Sequence, residues 1–346
     1  MRIPTLRLLV LLLLLPACRR ALRPPDTHAF YYWKSTFSST AHPFSSTDAP
    51  QFLYVHFFDV DWDKAAAAPR PQAIFQPGDS GLQLFTHGWC PVVYVTNRTF
   101  EQLADSSCET LAQHVAQTVN GMANTAKSRY HGAAPWQTFS QVQIDCDWTL
   151  STRDRYFHFL TAIKKQFPDK RISATVRLYP YRYYKRMGVP PVDRGMLMCY
   201  NLGRIQFTST QNSILDLHNL EAYLKGPPYP LPMDAAFPVF GWCAWFRDDK
   251  IQGIVHNDHI VQDYPGLFRR LDAQHYLVMA DSVIDDQYFR TGDALRVEKP
   301  DPAQVSAAIA LVMPKVPGYE HITFYHWNEA AVADYDNVIR HAFANY

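Results

Sequence analysis

Two aspartates separated by one residue, Asp145 and Asp147, end the apolar run "QVQIDCDWTL" at positions 141–150. Side chains alternate along a strand, so both carboxylates share one face with Gln143. Two carboxylates about 6.5 to 7 Å apart cost free energy when buried unpaired, and their repulsion tends to raise one of the two pKa values. Such pairs perform acid and base chemistry. We therefore assign the pair a functional role, with a loop cap or an ion pair to Arg177 as the structural alternatives.

Polar and aromatic side chains end most of the other apolar runs as well. If these runs are parallel strands closed into a barrel, their carboxyl ends lie on one rim, where barrel enzymes build their sites. A purely structural interpretation expects some polar residues at any strand end, but it explains less well three carboxylate clusters, an arginine and two tryptophans. The residues at these ends are Trp33, Asp59, Asp61, Arg177, Tyr179, Tyr200, Asn201, Trp327 and Glu329.

The elements that must position these residues alternate between strand-like and helical patterns. Strand-like runs begin at His28, Gln51, Pro91, Gln141, Arg171, Arg194, Ala235 and His321, with an additional one at His275. Helical patterns cover 107–126, 153–166, 213–224 and 330–344. Eight such units in roughly 320 residues predict an α/β fold, the (β/α)8 TIM barrel with loop insertions. A doubly wound open sheet is the alternative, but no glycine-rich phosphate loop follows any run.

Composition excludes several classes of partner. The 346 residues include 33 basic and 32 acidic ones without a basic run, so we expect no nucleic acid. The 20 Tyr, 21 Phe and 8 Trp suit a groove that stacks the flat faces of sugar rings. No CxxC pair occurs, and the "HNDH" loop at 256–259 is better explained as a solvated loop than as a metal site. We therefore predict no metal and no cofactor.

The N-terminus has the pattern of an export signal. Basic Arg2 and Arg7 precede an apolar run over 8–15 that is too short to span a bilayer. The following "LPAC" is similar to a bacterial lipobox, in which the cysteine, here Cys18, is lipidated; Pro16 is uncommon in that slot. An ordinary secretory signal with an incidental cysteine is the alternative.

These features predict three segments. Residues 1–18 form the signal peptide, 19–27 a tether, and 28–346 a single barrel domain. We expect an exported lipoprotein of the cell envelope, held at the outer membrane by its lipid anchor, with a periplasmic or secreted protein as the alternative. Of the remaining cysteines only Cys90 and Cys108 have loop-like surroundings that would allow them to pair.

The order of the motifs resembles the family 18 glycoside hydrolases, the chitinase-like barrels. The fourth strand of that family carries DxxDxDxE, which aligns with "VQIDCDWT" at 142–149, and its sixth carries Met-x-Tyr-Asp/Asn, here "MCYN". Its eighth strand ends in a tryptophan that floors the sugar site. The matching residues are Asp145, Asp147, Trp148, Met198, Tyr200, Asn201 and Trp327. The resemblance covers about residues 28–344 and implies a barrel acting on an oligo- or polysaccharide.

The sequence departs from that pattern at the family's general acid. Thr149 stands where the family has glutamate, and a hydroxyl does not protonate a glycosidic oxygen at useful rates. The resemblance implies that Asp147 orients the substrate's acetamido group while Tyr200 hydrogen-bonds to its oxygen. The candidates for the missing acid are Asp145, Glu329, Asp59 and Asp61. The chain is also similar to an uncharacterised group of bacterial barrel lipoproteins that lack this glutamate.

Three functions remain open at this point. The first is a glycoside hydrolase whose catalytic set is Asp145, Asp147 and Glu329. The second is a sugar-binding protein that has lost the acid, and the third is a structural envelope lipoprotein. In the first two, the substrate-binding residues are Trp33, Asp59, Asp61, Arg177, Tyr179, Tyr200, Asn201 and Trp327.

Overall fold

The computed structural model describes residues 28–37 and 51–346, without the side chains of 329–331. The predicted signal peptide and tether, including Cys18, lie outside these residues. Within the described part, no helix combines the length and the apolar character that a membrane crossing requires.

Sixteen strands occur in the described residues. They are β1 (His28–Tyr32), β2 (Phe52–Asp63), β3 (Ala68–Gln72), β4 (Gly88–Val95), β5 (Gln141–Asp145), β6 (Arg171–Arg177), β7 (Arg194–Met198), β8 (Met233–Pro238), β9 (Trp242–Arg247), β10 (Lys250–Val255), β11 (Phe268–Arg270), β12 (His275–Val278), β13 (Ser282–Ile284), β14 (Gln287–Phe289), β15 (Ala294–Glu298) and β16 (Ile322–Tyr325).

Eleven α-helices lie between or after these strands in the same part of the chain. They are α1 (Gly78–Gly81), α2 (Asn97–Gln102), α3 (Cys108–Arg129), α4 (Arg153–Gln166), α5 (Leu178–Arg182), α6 (Tyr184–Met187), α7 (Leu217–Leu224), α8 (Ile260–Asp263), α9 (Pro302–Val312), α10 (Glu329–Asp334) and α11 (Asp336–Asn345).

Eight parallel strands close into a barrel. The order around it is β1, β2, β4, β5, β6, β7, β8 and β16, and β1 closes the ring by pairing with both β2 and β16. Closure excludes the open doubly wound sheet and confirms the predicted (β/α)8 TIM barrel. The carboxyl ends of all eight strands therefore lie at one end of the barrel.

A smaller antiparallel sheet is inserted between β8 and β16. Its strand order is β10-β9-β15-β12-β11, and the hairpin of β13 and β14 accompanies it. The run predicted from Ala235 as one barrel strand is wrong in its second half, because the chain leaves the barrel after Pro238 and enters β9 of the insertion. This brings Trp242 from the insertion to the end of the barrel.

Strand parity separates two layers of side chains. Val142 and Ile144 of β5 pack outward with the helices, while Gln143 faces the interior and accepts a hydrogen bond from the Tyr31 hydroxyl at 2.5 Å. The interior is thus filled by aromatic rings and bonded polar groups rather than by aliphatic layers alone. The predicted direction of the β5 side chains is confirmed for this strand.

The amino-terminal end of the barrel is closed by a buried ion pair. Arg194 Nη1 lies 3.1 Å from Asp234 Oδ1, which also accepts the backbone N–H groups of Glu320 and His321 at 2.7 and 3.0 Å. Arg194 Nη2 contacts Glu320 Oε1 at 2.8 Å. Each buried charge has a partner, as burial requires.

Candidate active site

A cavity of about 610 Å³ opens at the carboxyl ends of the barrel strands. Three carboxylates line it: Asp59, Asp145 and Asp147. Its aromatic walls are Trp33, Tyr94, Tyr200, Phe240, Trp242 and Tyr325. A pocket of this size with aromatic walls and convergent polar groups has the form of a small-ligand site.

Asp145 ends β5 and is nearly buried at the base of this cavity, with 8% of its surface exposed. Its Oδ1 accepts a hydrogen bond of 2.5 Å from the Thr175 hydroxyl of β6. Burial, and secondarily the nearby Asp147 carboxylate, raise the pKa of Asp145 to about 7. The carboxyl therefore carries a proton through the acidic range and exchanges it near neutrality.

Asp147 lies just beyond the strand and pairs with a cation. Its Oδ2 is 3.2 Å from Nη1 of Arg177, the last residue of β6, and both side chains are roughly half exposed. The ion pair to Arg177 that the sequence suggested as a structural alternative is thus present, but for Asp147 and inside the cavity. It leaves Asp147 facing the same space as Asp145.

Asp59 reaches the cavity from β2 with a histidine behind it. Its Oδ1 lies 2.7 Å from Nε2 of His56, whose ring centroid is 4.6 Å from that of Trp33. The aromatic contact and the hydrogen bond fix the orientation of the imidazole. The contact with His56 fixes the position of the Asp59 carboxylate, which lines the cavity and can contact a bound molecule.

Three polar atoms of the cavity walls make no hydrogen bond with any described residue although they are buried. They are the Tyr200 hydroxyl, the Trp242 indole nitrogen and His326 Nδ1. Burial lowers the pKa of His326 to about 4, so its imidazole is neutral at physiological pH. Buried polar groups are normally satisfied, and a polar ligand in the cavity would satisfy these.

A second cavity of about 380 Å³ adjoins the first. The two share Asp147, Arg177, Tyr200 and Asn201. Thr149 and the half-exposed Tyr179 line only the second one. Predicted residues Trp33, Asp59, Asp145, Asp147, Arg177, Tyr179, Tyr200 and Asn201 thus all line this joined space.

Two predicted residues lie elsewhere. Asp61 binds Arg98 and accepts the Thr96 hydroxyl at 2.7 Å beside the start of α2, so its carboxylate is neutralised outside the cavity. Trp327 packs edge-on against Phe30 at 5.0 Å between barrel and helices, because the chain has left β16 before it. Trp327 lines neither of the two cavities, although it was expected to form the floor of the sugar site. The side chain of Glu329, at the start of α10, lies outside the described ones.

Several lining residues were missed by the sequence reasoning. Tyr94 follows the inward parity of β4 and was detectable from that pattern. Tyr325 occupies the inward position of β16 that Trp327 was expected to serve. His256 comes from the "HNDH" loop and Trp242 from the insertion; their approach depends on how the insertion folds back, which no local pattern encodes.

A cluster of metal-ligand residue types lies on the outside of the barrel. Within the described residues, Asp105, Cys108 and His158 place ligand atoms within 4.8 Å of one another. Burial raises the pKa of the Cys108 thiol to about 11, which opposes the thiolate form that metals bind. Cys90 and Cys108, the suggested pair, are both free thiols; Cys90 lies inside the barrel and Cys108 begins α3 outside it.

Solved structures of similar fold include glycoside hydrolase family 18 proteins and a xylanase–α-amylase inhibitor protein. An N-acetylglucosaminidase of that family from Paenibacillus barengoltzii aligns over 91% of this chain and 99% of its own, with 9% identity and a TM-score of 0.49. A putative chitinase A from Streptomyces coelicolor aligns over 93% and 100%, with 11% identity and a TM-score of 0.47.

A fungal endo-β-N-acetylglucosaminidase of the same family covers 92% of this chain and 95% of its own, with 9% identity and a TM-score of 0.46. No protein-family model and no curated protein matches the chain. At such identity the likeness is one of fold, so the chemistry has to be derived from this chain's own residues.

Proposed function

We propose that this barrel is a glycoside hydrolase that takes an oligosaccharide into the joined cavity. The observation that carries the proposal is the convergence of Asp59, Asp145 and Asp147 on one aromatic-walled space. Sugars present apolar faces to aromatic rings and hydroxyls to carboxylates, so this lining matches their two kinds of surface. Glycosidic bonds are cleaved between just such pairs of carboxyl groups.

Asp145 supplies the acid that Thr149 cannot. Its pKa of about 7, raised by burial, leaves the carboxyl protonated at mildly acidic and neutral pH. In the proposed step the Asp145 proton passes to the glycosidic oxygen as the bond to the anomeric carbon breaks. Asp147, held by Arg177, stabilises the positive charge that develops on the sugar.

Water completes the reaction. Its oxygen bonds to the anomeric carbon, and its proton goes to a carboxylate of the cavity, for which Asp59 is placed with His56 behind it. Atoms and charges then balance: one water is consumed, two sugar ends are released, and the proton on Asp59 returns to Asp145 through solvent.

A glycan panel scored for both binding and release tests the proposal. The unmutated protein should release reducing ends from at least one member, and Asp145→Asn and Asp147→Asn should each abolish release. Asp336→Asn, the same chemical change on the exposed surface of α11, serves as the matched control. Release that survives in both site variants would refute the assignment.

Glycan binding without hydrolysis is the second candidate, and one observation favours it. The Thr149 hydroxyl is within 2.9 Å of the Ser151 hydroxyl in a turn, and no acid replaces it at that position. In this case the unmutated protein binds a glycan and releases nothing. Thr149→Glu would then be expected to create hydrolysis, because it places a carboxyl where the related barrels have theirs.

We also propose export and lipid anchoring through Cys18, as the N-terminal pattern and the similarity to barrel lipoproteins suggest. Residues 1–18 would be processed as the signal and 19–27 would tether the barrel to the outer membrane. Expression in a bacterium fed labelled palmitate should label the protein, and Cys18→Ser should remove both label and membrane fractionation. Release of the unmutated protein into the periplasm without label would contradict the anchor.

A further inference from the structure

The proposed site continues past its carboxylates into a third cavity. This cavity, of about 270 Å³, lies along α5 and α6 and shares Arg186 with the second one. The second in turn shares Asp147 and Arg177 with the first. The three spaces therefore adjoin one another from the carboxylates to the outer side of α6, and we call this row of spaces the cleft.

The outer end of this cleft is lined by cations. Arg182, Lys185 and Arg186 line the outer end, and within the described residues none of the three forms an ion pair. Asp147 is the only carboxylate among the described residues that line the second and third cavities, and Arg177 neutralises it. The outer half of the cleft is thus strongly cationic.

Exposed aromatic rings accompany these cations. Tyr179 and Tyr183 are 44% and 46% exposed, and their ring centroids lie 4.7 Å apart. The guanidinium of Arg182 lies 5.8 Å from the centroid of the Tyr183 ring. Large aromatic side chains at this exposure stay wet unless something covers them, and sugar rings cover such faces.

We propose that the ligand of this cleft is an anionic oligosaccharide, with carboxylate or sulfate groups on the sugar units that lie along α5 and α6. The inference rests on the proposed function, since it extends the same site. Tyrosine faces hold the sugar rings, and the three unpaired cations meet the anionic substituents. Neutral sugar units occupy the inner end, where the arginine of the lining, Arg177, is already paired with Asp147.

Calorimetric titration of the whole protein with defined hexasaccharides tests this inference. The probes are a hyaluronan hexasaccharide, the same molecule with its carboxylates reduced to alcohols, and a chondroitin sulfate hexasaccharide. The hyaluronan probe should bind at least about tenfold more tightly than its reduced form, with affinity falling as salt rises. Tighter binding of the chondroitin sulfate probe than of the hyaluronan probe identifies sulfate as the preferred anionic group.

Charge-removing variants locate the effect. Arg182→Gln, Lys185→Gln and Arg186→Gln combined should lose the preference for the anionic probe, so that the anionic and the reduced probes bind with similar affinity. The control combines Lys64→Gln, Lys127→Gln and Arg269→Gln, which removes the same charge from exposed positions outside the cleft. Thermal melting of both triple variants verifies that they fold. If a triple variant does not fold, the corresponding single variants are tested in its place.

The outcomes separate the two proposals. Equal binding of charged and reduced probes, or an equal loss in both triple variants, overturns the anionic ligand and leaves glycan binding standing. A protein that binds none of these probes and no member of the wider glycan panel overturns the proposed function as well.

Discussion

Two buried aspartates lie at opposite ends of the same barrel with opposite surroundings. Asp234, 1% exposed at the amino-terminal end, has Arg194 and two backbone N–H groups as partners. Asp145, 8% exposed at the other end, accepts the hydroxyl of Thr175 and lines the cavity beside the carboxylate of Asp147. The negative charge of Asp234 is neutralised by its partners, whereas burial and then the nearby Asp147 carboxylate disfavour the negative charge of Asp145.

The contrast separates a structural from a functional carboxylate. A buried charge that only stabilises a fold needs a cation and hydrogen-bond donors, and Asp234 has both. Asp145 is instead kept close to its neutral form by burial, which raises its pKa to about 7. Above neutral pH, keeping this buried carboxyl in the folded protein costs free energy. A carboxyl whose proton is used in a reaction would account for that cost.

The largest expected effect lies at the functional end. Asp145→Asn should lower the rate of glycan release by about 10²–10⁴-fold, because general acid catalysis contributes on that order. The unfolding midpoint at pH 8 should stay the same or rise, since the substitution removes a carboxylate that is costly to bury. Reducing-end release measures the rate, and urea unfolding measures the stability. A large loss of stability would show that Asp145 has a structural role like that of Asp234.

The structural end should show the reverse. Asp234→Ala leaves Arg194 without its buried partner and should lower the free energy of unfolding by about 3 to 5 kcal/mol. Urea denaturation of the purified variant provides the measurement. An unchanged unfolding free energy would show that Glu320, the other carboxylate on Arg194, neutralises it alone.

The pH dependence of stability should report on Asp145. The folded protein holds a proton on Asp145 up to about pH 7, whereas the unfolded chain loses it near 3.8. The stabilising contribution of that proton is full below the lower value and is lost as pH rises through the upper one. At about 1.4 kcal/mol per pKa unit, a rise of about three units corresponds to a loss on the order of 4 kcal/mol. Unfolding curves between pH 4 and 8 should fall less steeply for Asp145→Asn than for the unmutated protein, and Asp336→Asn should match the latter.

Two interior tyrosines give the smallest and finest test. The Tyr54 hydroxyl is bonded to His321 Nδ1 at 2.7 Å near the structural end, while the Tyr200 hydroxyl at the cavity has no partner among the described residues. Tyr54→Phe should cost about 1 kcal/mol of stability and no glycan affinity. Tyr200→Phe should cost no stability and weaken glycan binding by about threefold to tenfold. Calorimetric unfolding measures the stability of both variants, and calorimetric titration measures their affinity for the glycan. Equal losses of stability in the two variants would contradict this prediction.

Much of the barrel was predictable because strands and helices carry local periodicity. The helix over 153–166 is α4 itself, and the inward direction of Gln143 and Asp145 follows from alternation along β5. The helix α9 was missed, although Asp301 and Gln304 form a capping box at its start. That signal was local and readable; Asp301 precedes a proline at the first helical position, which is itself a start signal.

Other features depend on contacts distant in sequence. The inserted sheet is held to the loop after β7 by a fully buried ion pair between Arg296 and Glu298, in which Arg296 donates to the Phe207 carbonyl oxygen and Glu298 accepts the Ser213 hydroxyl. These partners are 85 or more positions apart. No local pattern indicates such a pairing. Because the inserted sheet depends on it, the sequence alone led to the assignment of Trp242, which begins β9, to a barrel strand.

The sequence by itself determined the alternation of strands and helices, the inward face of β5, and the absence of a glutamate at position 149. Only the tertiary structure decided that Asp59, Asp145 and Asp147 share one space while Asp61 is bound to Arg98 outside it. It also decided that Tyr325, and not Trp327, lines that space. The physical reason is that side-chain direction along a strand is set by local geometry, whereas the partner that neutralises a charge and the burial that shifts its pKa come from residues distant in the chain.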